Sequence, residues 1–166
     1  MEHNDHAIND RSGHHYTMFL VNMLLSLVVM YFIMFSMIDS WGDFRNNLNM
    51  LYMALTMVAP MGMIMLATMR GMYTRTTLNM ALHAGLALLF VAALAGTRQQ
   101  TAIGDGQFIA SMIPHHSGAI LMCRETTLKD AELVRLCDQI SSGQRREIEQ
   151  MNAIQARLKA GNRKTS

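Results

Sequence analysis

The sequence predicts an all-α protein, three transmembrane helices followed by a soluble two-helix hairpin, and two observations carry that prediction. Apolar residues make up 51% of the 166 positions and fall into three long blocks instead of spreading as a globular core requires. Beyond the third block the chain is charged, with apolar residues recurring at helical spacing, which leaves mean hydropathy only slightly positive at +0.14.

The blocks are residues 17–38, 48–69 and 78–97, none of which contains an Asp, Glu, Lys or Arg. Each runs about 20 residues, enough to cross roughly 30 Å of hydrocarbon at about 1.5 Å per residue. The first lacks a basic n-region, is long for a signal peptide, and is followed by no small-x-small site over Met37–Gly42, so it is expected to remain as a span. The domains expected are a His-containing N-terminal tail (1–16), a transmembrane domain (17–97) and a soluble hairpin (98–166).

Arg70 and Arg75 mark the second loop as cytoplasmic by the positive-inside rule, whereas the first loop carries Asp39, Asp43 and Arg45. Arg11 agrees and Arg98 opposes. The expectation is a bacterial inner-membrane protein with its N-terminus in the cytoplasm and its hairpin in the periplasm. Tyr16, Trp41, Tyr52 and Tyr73 sit near span ends, as interfacial aromatics do. Ala81 with Gly85, and Ala92 with Gly96, offer small residues four apart for close helix approach.

After Thr101 a Gly-Asp-Gly turn leads into a helix over about 105–125, with Asp105 as candidate N-cap. A second runs over about 130–159, opened by a capping box resembling Thr127–Asp130 and ended by Gly161. Its heptad-like face reads Leu133, Cys137, Ile140, Gln144, Glu147, Met151, Ile154, Leu158. The first reads Phe108, Met112, His115, Ala119, Met122, with His116 and Cys123 on the flank. Folded antiparallel, these faces set His115 and His116 level with Gln144, Met112 near Glu147, and Met122 near Cys137.

Imidazole, thioether and thiol groups in one place suit copper, with Cu(I) favoured and Cu(II) served by a carboxylate or second imidazole. The candidate ligands are His115, His116, Met112, Met122, Cys123 and Met151. Gln144, Glu147 and Asp105 would orient them through hydrogen bonds. Cys123 and Cys137 read equally as small core residues or as a disulfide of an oxidising compartment. Hard cations would want several oxygen ligands, which are missing.

The 18 methionines need their own account. Met50, Met53, Met57, Met61, Met65, Met69 and Met72 recur every three or four residues along the second span. Met23, Met30, Met34 and Met37 share a face of the first, and Met80 and His83 lie one turn apart on the third. Two readings stand open: a thioether ladder conducting Cu(I), or adaptable packing. An ionisable His83 within a span is a functional candidate by default. Pro60 and Gly62 are expected to kink the second span. The tail adds His3, His6, His14 and His15.

The stretch FIASMIPHHSGAILMC (108–123) followed by QRREIEQM (144–151) resembles the CopM-like periplasmic copper-binding family, a ferritin-like domain of unknown function. That family shows a D-x-x-F-x-x-x-M-x-x-H-H-x-x-A-x-x-M pattern and a later Q-x-x-E-I-x-x-M pattern. Its positions fall here on Asp105, Phe108, Met112, His115, His116, Ala119, Met122, Gln144, Glu147, Ile148 and Met151. The resemblance implies copper binding and copper tolerance outside the cytoplasm, on a helical bundle that two helices would complete as a homodimer or higher homo-oligomer.

The expected function is therefore a membrane-anchored copper-binding protein of copper homeostasis. A Cu(I) channel or transporter and a copper-dependent redox enzyme are the alternatives. Partners expected are the lipid bilayer, further copies of the chain, and a copper ATPase or copper chaperone. A net charge of +2 without a basic stripe argues against nucleic acid. No nucleophile triad, phosphate loop or paired carboxylate points to catalysis, and no Glu-x-x-His motif points to a di-iron centre.

Overall fold

The computed structural model describes the backbone of residues 2–165 and the side chains of 13–161. It is all-helical across the described residues: α1 (Glu2–Ile33), α2 (Leu48–Thr68), α3 (Thr76–Gln99), α4 (Asp105–Glu125) and α5 (Ala131–Thr165), with short 3-10 turns at Met34–Met37 and Trp41–Asp43. The chain forms two compact units that do not follow chain order. Residues 1–33 and 51–101 make one, and residues 34–50 and 102–166 make the other. The connection between the first two long helices thus folds with the hairpin.

In the first unit, Phe19, Met23, Val58, Leu66 and Tyr73 form a core against which Tyr16, Leu27, Met30, Met61, Met65, Leu82 and Leu86 pack. Gly62 lets α1 and α2 close, since a Cβ there would lie 2.7 Å from the Met23 methyl carbon. Gly96 likewise faces the Tyr52 ring, whereas Gly85 has open space around it. At one end Tyr16 donates to Asn79 Oδ1 (2.8 Å) and accepts from the Arg75 N–H (3.1 Å).

Three helices here are long and apolar enough to cross a membrane, and no more than 28% of the most apolar window of any is buried. Leu20, Leu24, Val28, Phe32, Ile64, Leu88 and Val91 all stay exposed. An apolar surface of that extent on a helix is suited to lipid, not water. Pro60 is accommodated inside an uninterrupted α2.

The second unit has three layers. Ile109, Ile113 and Ile120 of α4 meet Ile148 of α5, with Met151, Ile154 and Leu158 packed around them. On its other side α4 carries residues 34–50. Ser117, fully buried, accepts the Asp39 N–H (2.7 Å) and donates to Asp43 Oδ2 (2.6 Å). Arg124 pairs with Asp39, and Phe35 stacks on Phe44 with ring centroids 4.4 Å apart. Pro114 lacks an N–H, so the Ala110 carbonyl loses its usual helical donor. The Asn47 amide supplies one at 3.3 Å, and the Asn47 carbonyl oxygen accepts the Met50 N–H (2.9 Å) at the start of α2.

Local signals need three corrections. Gly104, not Asp105, is the N-cap of α4, and Asp105 contributes its charge within the first turn. Asp130 alone caps α5, its Oδ1 accepting the N–H groups of Glu132 and Leu133 (both 2.9 Å), so the expected capping box starting at Thr127 is not used. Gly161 does not end α5, which continues to Thr165. Among the described residues no glycine adopts positive φ, the conformation by which a glycine stops a helix.

Candidate functional site

The face of α4 that meets α5 is one residue out of phase with the expected seam. Ile109, Ile113 and Ile120 are buried there, whereas Phe108 and Met122, which the seam reading placed inside, are 51% and 58% exposed. The reason is the second layer of residues 34–50. An α4 covered on two sides buries two stripes, and Ala110, Pro114, Ser117 and Gly118 form the one that receives this segment.

This rotation separates the two histidines. His116 faces α5, its Nδ1 3.0 Å from Glu147 Oε2, close enough for an ion pair when the ring is protonated. The two atoms are not aligned for a hydrogen bond. His116 Nδ1 and Gln144 Oε1 are in fact buried without a hydrogen-bond partner among the described residues. His115 turns away, with ring centroids 6.4 Å apart and planes at 61°. Both histidines were expected level with Gln144, and only His116 is on that side.

His115 instead lines a cavity of about 390 Å³ with Met34, Met37, Met50, Pro114, Gly118, Ala119 and Met122. Four thioethers and one imidazole supply its donors, and among the described residues no carboxylate, lysine or arginine lines it. Close approach of the segment depends on Gly118, where a Cβ would sit 3.2 Å from the Met37 carbonyl oxygen. Thioether and neutral imidazole are ligands for soft cations, Cu(I) above all.

The remaining expected ligands are dispersed. Met151 packs in the α4–α5 core. Met112 is partly buried and does not line the cavity. Cys123 is bonded to Cys137, which joins the two helices and takes both cysteines of the sequence out of the thiol pool. That pairing is one of the alternatives the sequence left open. Among the described residues no three His, Cys, Asp or Glu side chains are grouped to hold a metal ion.

Sequence reasoning missed Met34 and Met37 by assigning them to the first span, and Met50 by making it the first rung of a ladder. The signal available was topological. Met34, Met37 and Met50 lie at the ends of the first two apolar blocks, next to the connection between them, so they were free to fold with it onto the hairpin.

In the first unit, Met53, Met57 and Met69 are 45%, 42% and 42% exposed, and Met72 is 40% exposed in the turn after α2. Met61 and Met65 pack beside the core instead. The buried stripe of α2 consists of Ala54, Val58, Ala59, Gly62 and Leu66. The methionine stripe therefore borders the helix interface. His83 Nδ1 lies 2.8 Å from the Asn79 carbonyl, and His83 and Met80 line a separate pocket with Arg70, Tyr73, Thr74, Thr76 and Asn79. His14 is exposed and His15 partly buried, while the side chains of His3 and His6 lie outside the described residues.

Fold and cavity together define a class: small all-helical proteins in which membrane-length helices carry a hairpin with a thioether-lined hollow. The chain belongs to the family described as Domain of unknown function (DUF305), which it matches over residues 34–155. It is similar to a protein of Acanthamoeba polyphaga mimivirus described as "Uncharacterized protein L153", with 32% identity over 141 residues, covering 80% of this chain and 91% of that protein. No solved structure matches the chain.

Proposed function

We propose that this protein is a membrane-anchored copper-binding protein of copper homeostasis and tolerance, a binder and not an enzyme. One observation carries the reading: His115 and Met122, both positions of the motif, line the same cavity, whose donors are soft thioethers and a borderline imidazole, a set that suits copper. Three apolar helices would hold this unit at a bilayer. Arg70 and Arg75 in the second connection favour a cytoplasmic position for it by the positive-inside rule, which supports a copper-binding unit outside the cytoplasm, in a bacterium the periplasm. The Cys123–Cys137 disulfide agrees with an oxidising compartment. A copper ATPase or chaperone would deliver or receive the metal. Leu133, Val134 and Leu136, exposed on α5, would serve self-association into a homodimer or higher oligomer.

The test is copper retained by the full-length protein in detergent after desalting. His115→Ala should reduce bound copper at least about tenfold in affinity, the effect of about 1.4 kcal/mol of lost ligation. Helicity should be unchanged, because the ring makes no hydrogen bond within the helix core. An unaltered affinity would remove the site from consideration.

A further inference from the structure

We infer that the metal site is selective for a monovalent soft ion, Cu(I), and that most of its ligands come from residues 34–50, the connection and the first turn of α2: the thioethers of Met34, Met37 and Met50 join His115 and Met122. The inference rests on the proposed copper function and specifies the ion and the ligands.

The cavity lining sets the charge of the ion. Thioethers are neutral, and no carboxylate lines the hollow to compensate a second positive charge. The cost of moving an ion from water into weakly polar surroundings grows with the square of its charge, so a divalent ion suffers far more there than a monovalent one. Sulfur donors favour Cu(I) over Cu(II) in the same direction. Thioethers also carry no proton to lose, so their part of the binding needs no deprotonation, unlike a thiolate site. Thiol capture is excluded, because both cysteines are held in the disulfide.

The placement of the three methionines is fixed independently of any metal. Phe35, between Met34 and Met37, is 2% exposed and stacks on Phe44. Asn47 holds the Ala110 carbonyl and caps the turn containing Met50. Ser117 anchors Asp39 and Asp43 between those two points. The thioethers thus stand on a segment pinned at both ends, as a preorganised site requires. Met37 and Met122 are 50% and 58% exposed, which leaves the ion a way in from solvent.

Silver(I), a redox-inert mimic of Cu(I), tests this on the full-length protein in detergent, with Cu(I) kept reduced by ascorbate as second probe. Met34→Leu, Met37→Leu and Met50→Leu together conserve volume and should fold normally. Ag(I) and Cu(I) affinity should fall at least about tenfold, equivalent to about 1.4 kcal/mol. The control Met112→Leu with Met151→Leu should leave affinity unchanged. X-ray absorption of the wild-type silver complex should show mainly sulfur neighbours, a readout that survives any misfolding of the variant. Nitrogen or oxygen neighbours alone, or an unaltered triple variant, would overturn the inference. If the triple variant binds normally while His115→Ala does not, the ligand set proposed here is wrong and the copper reading stands. If neither substitution matters, both fall.

Discussion

Methionine is abundant in both units, and the two use it differently. In the helices of membrane length, Met23 fills the space over Gly62 and Met61 and Met65 pack on the same core. In the hairpin unit, Met34, Met37, Met50 and Met122 arrive from two separate stretches of chain and line one cavity together with His115. Regular spacing along one helix is what packing alone also produces. Convergence from separate segments on a histidine is not, and it is the better indicator of a ligand site.

The comparison can be broken most forcefully at the core of the hairpin unit. Ile113 is completely buried between α4 and α5, so Ile113→Ala should cost about 2–5 kcal/mol. Far-UV circular dichroism follows the unfolding in a urea titration in mild detergent. A transition unmoved by the substitution would show that the α4–α5 interface does not stabilise the unit.

A smaller effect is expected at Ser117. Replacing it by alanine strands the Asp39 N–H and the Asp43 carboxylate that it now bridges, and should cost about 1–3 kcal/mol. Because the same hydroxyl fixes the segment bearing Met37, Ag(I) affinity should fall with stability. Lost stability with intact affinity would separate the segment from the site.

The smallest effect per site belongs to the methionines of α2. Met57, Met61 and Met65 changed together to leucine should cost under about 1.5 kcal/mol per site and leave copper binding by the hairpin unit unchanged. Cu(I) flux into liposomes is the discriminating measurement. Flux present in the wild type and abolished in this variant would make the stripe a conduction path and reverse the contrast drawn above.

Much of the architecture was legible because its causes are local. Uncharged blocks set the three long helices, and the heptad-like face of α5 correctly chose Met151, Ile154 and Leu158 for the core. Copper itself was suggested by residue types, and the two-histidine motif by resemblance. The donor set of the cavity was not legible. Periodicity assigns a helix one buried face when one partner is assumed, and α4 has two.

The sequence by itself determined the number and apolarity of the long helices, since uncharged runs and 3.6-residue periodicity depend on neighbours a few positions away, whereas the bounds of α1 (Glu2–Ile33) and the end of α5 (Thr165) differ from those expected. Only the tertiary structure decided the rotation of α4, the parting of His115 from His116, and the recruitment of Met34, Met37 and Met50. Those outcomes hang on contacts between residues 74 and 78 positions apart, Ser117 with Asp43 and Asp39. A single buried hydroxyl and the carbonyl freed by Pro114 tie residues 34–50 to α4, and no pattern within either segment announces that match.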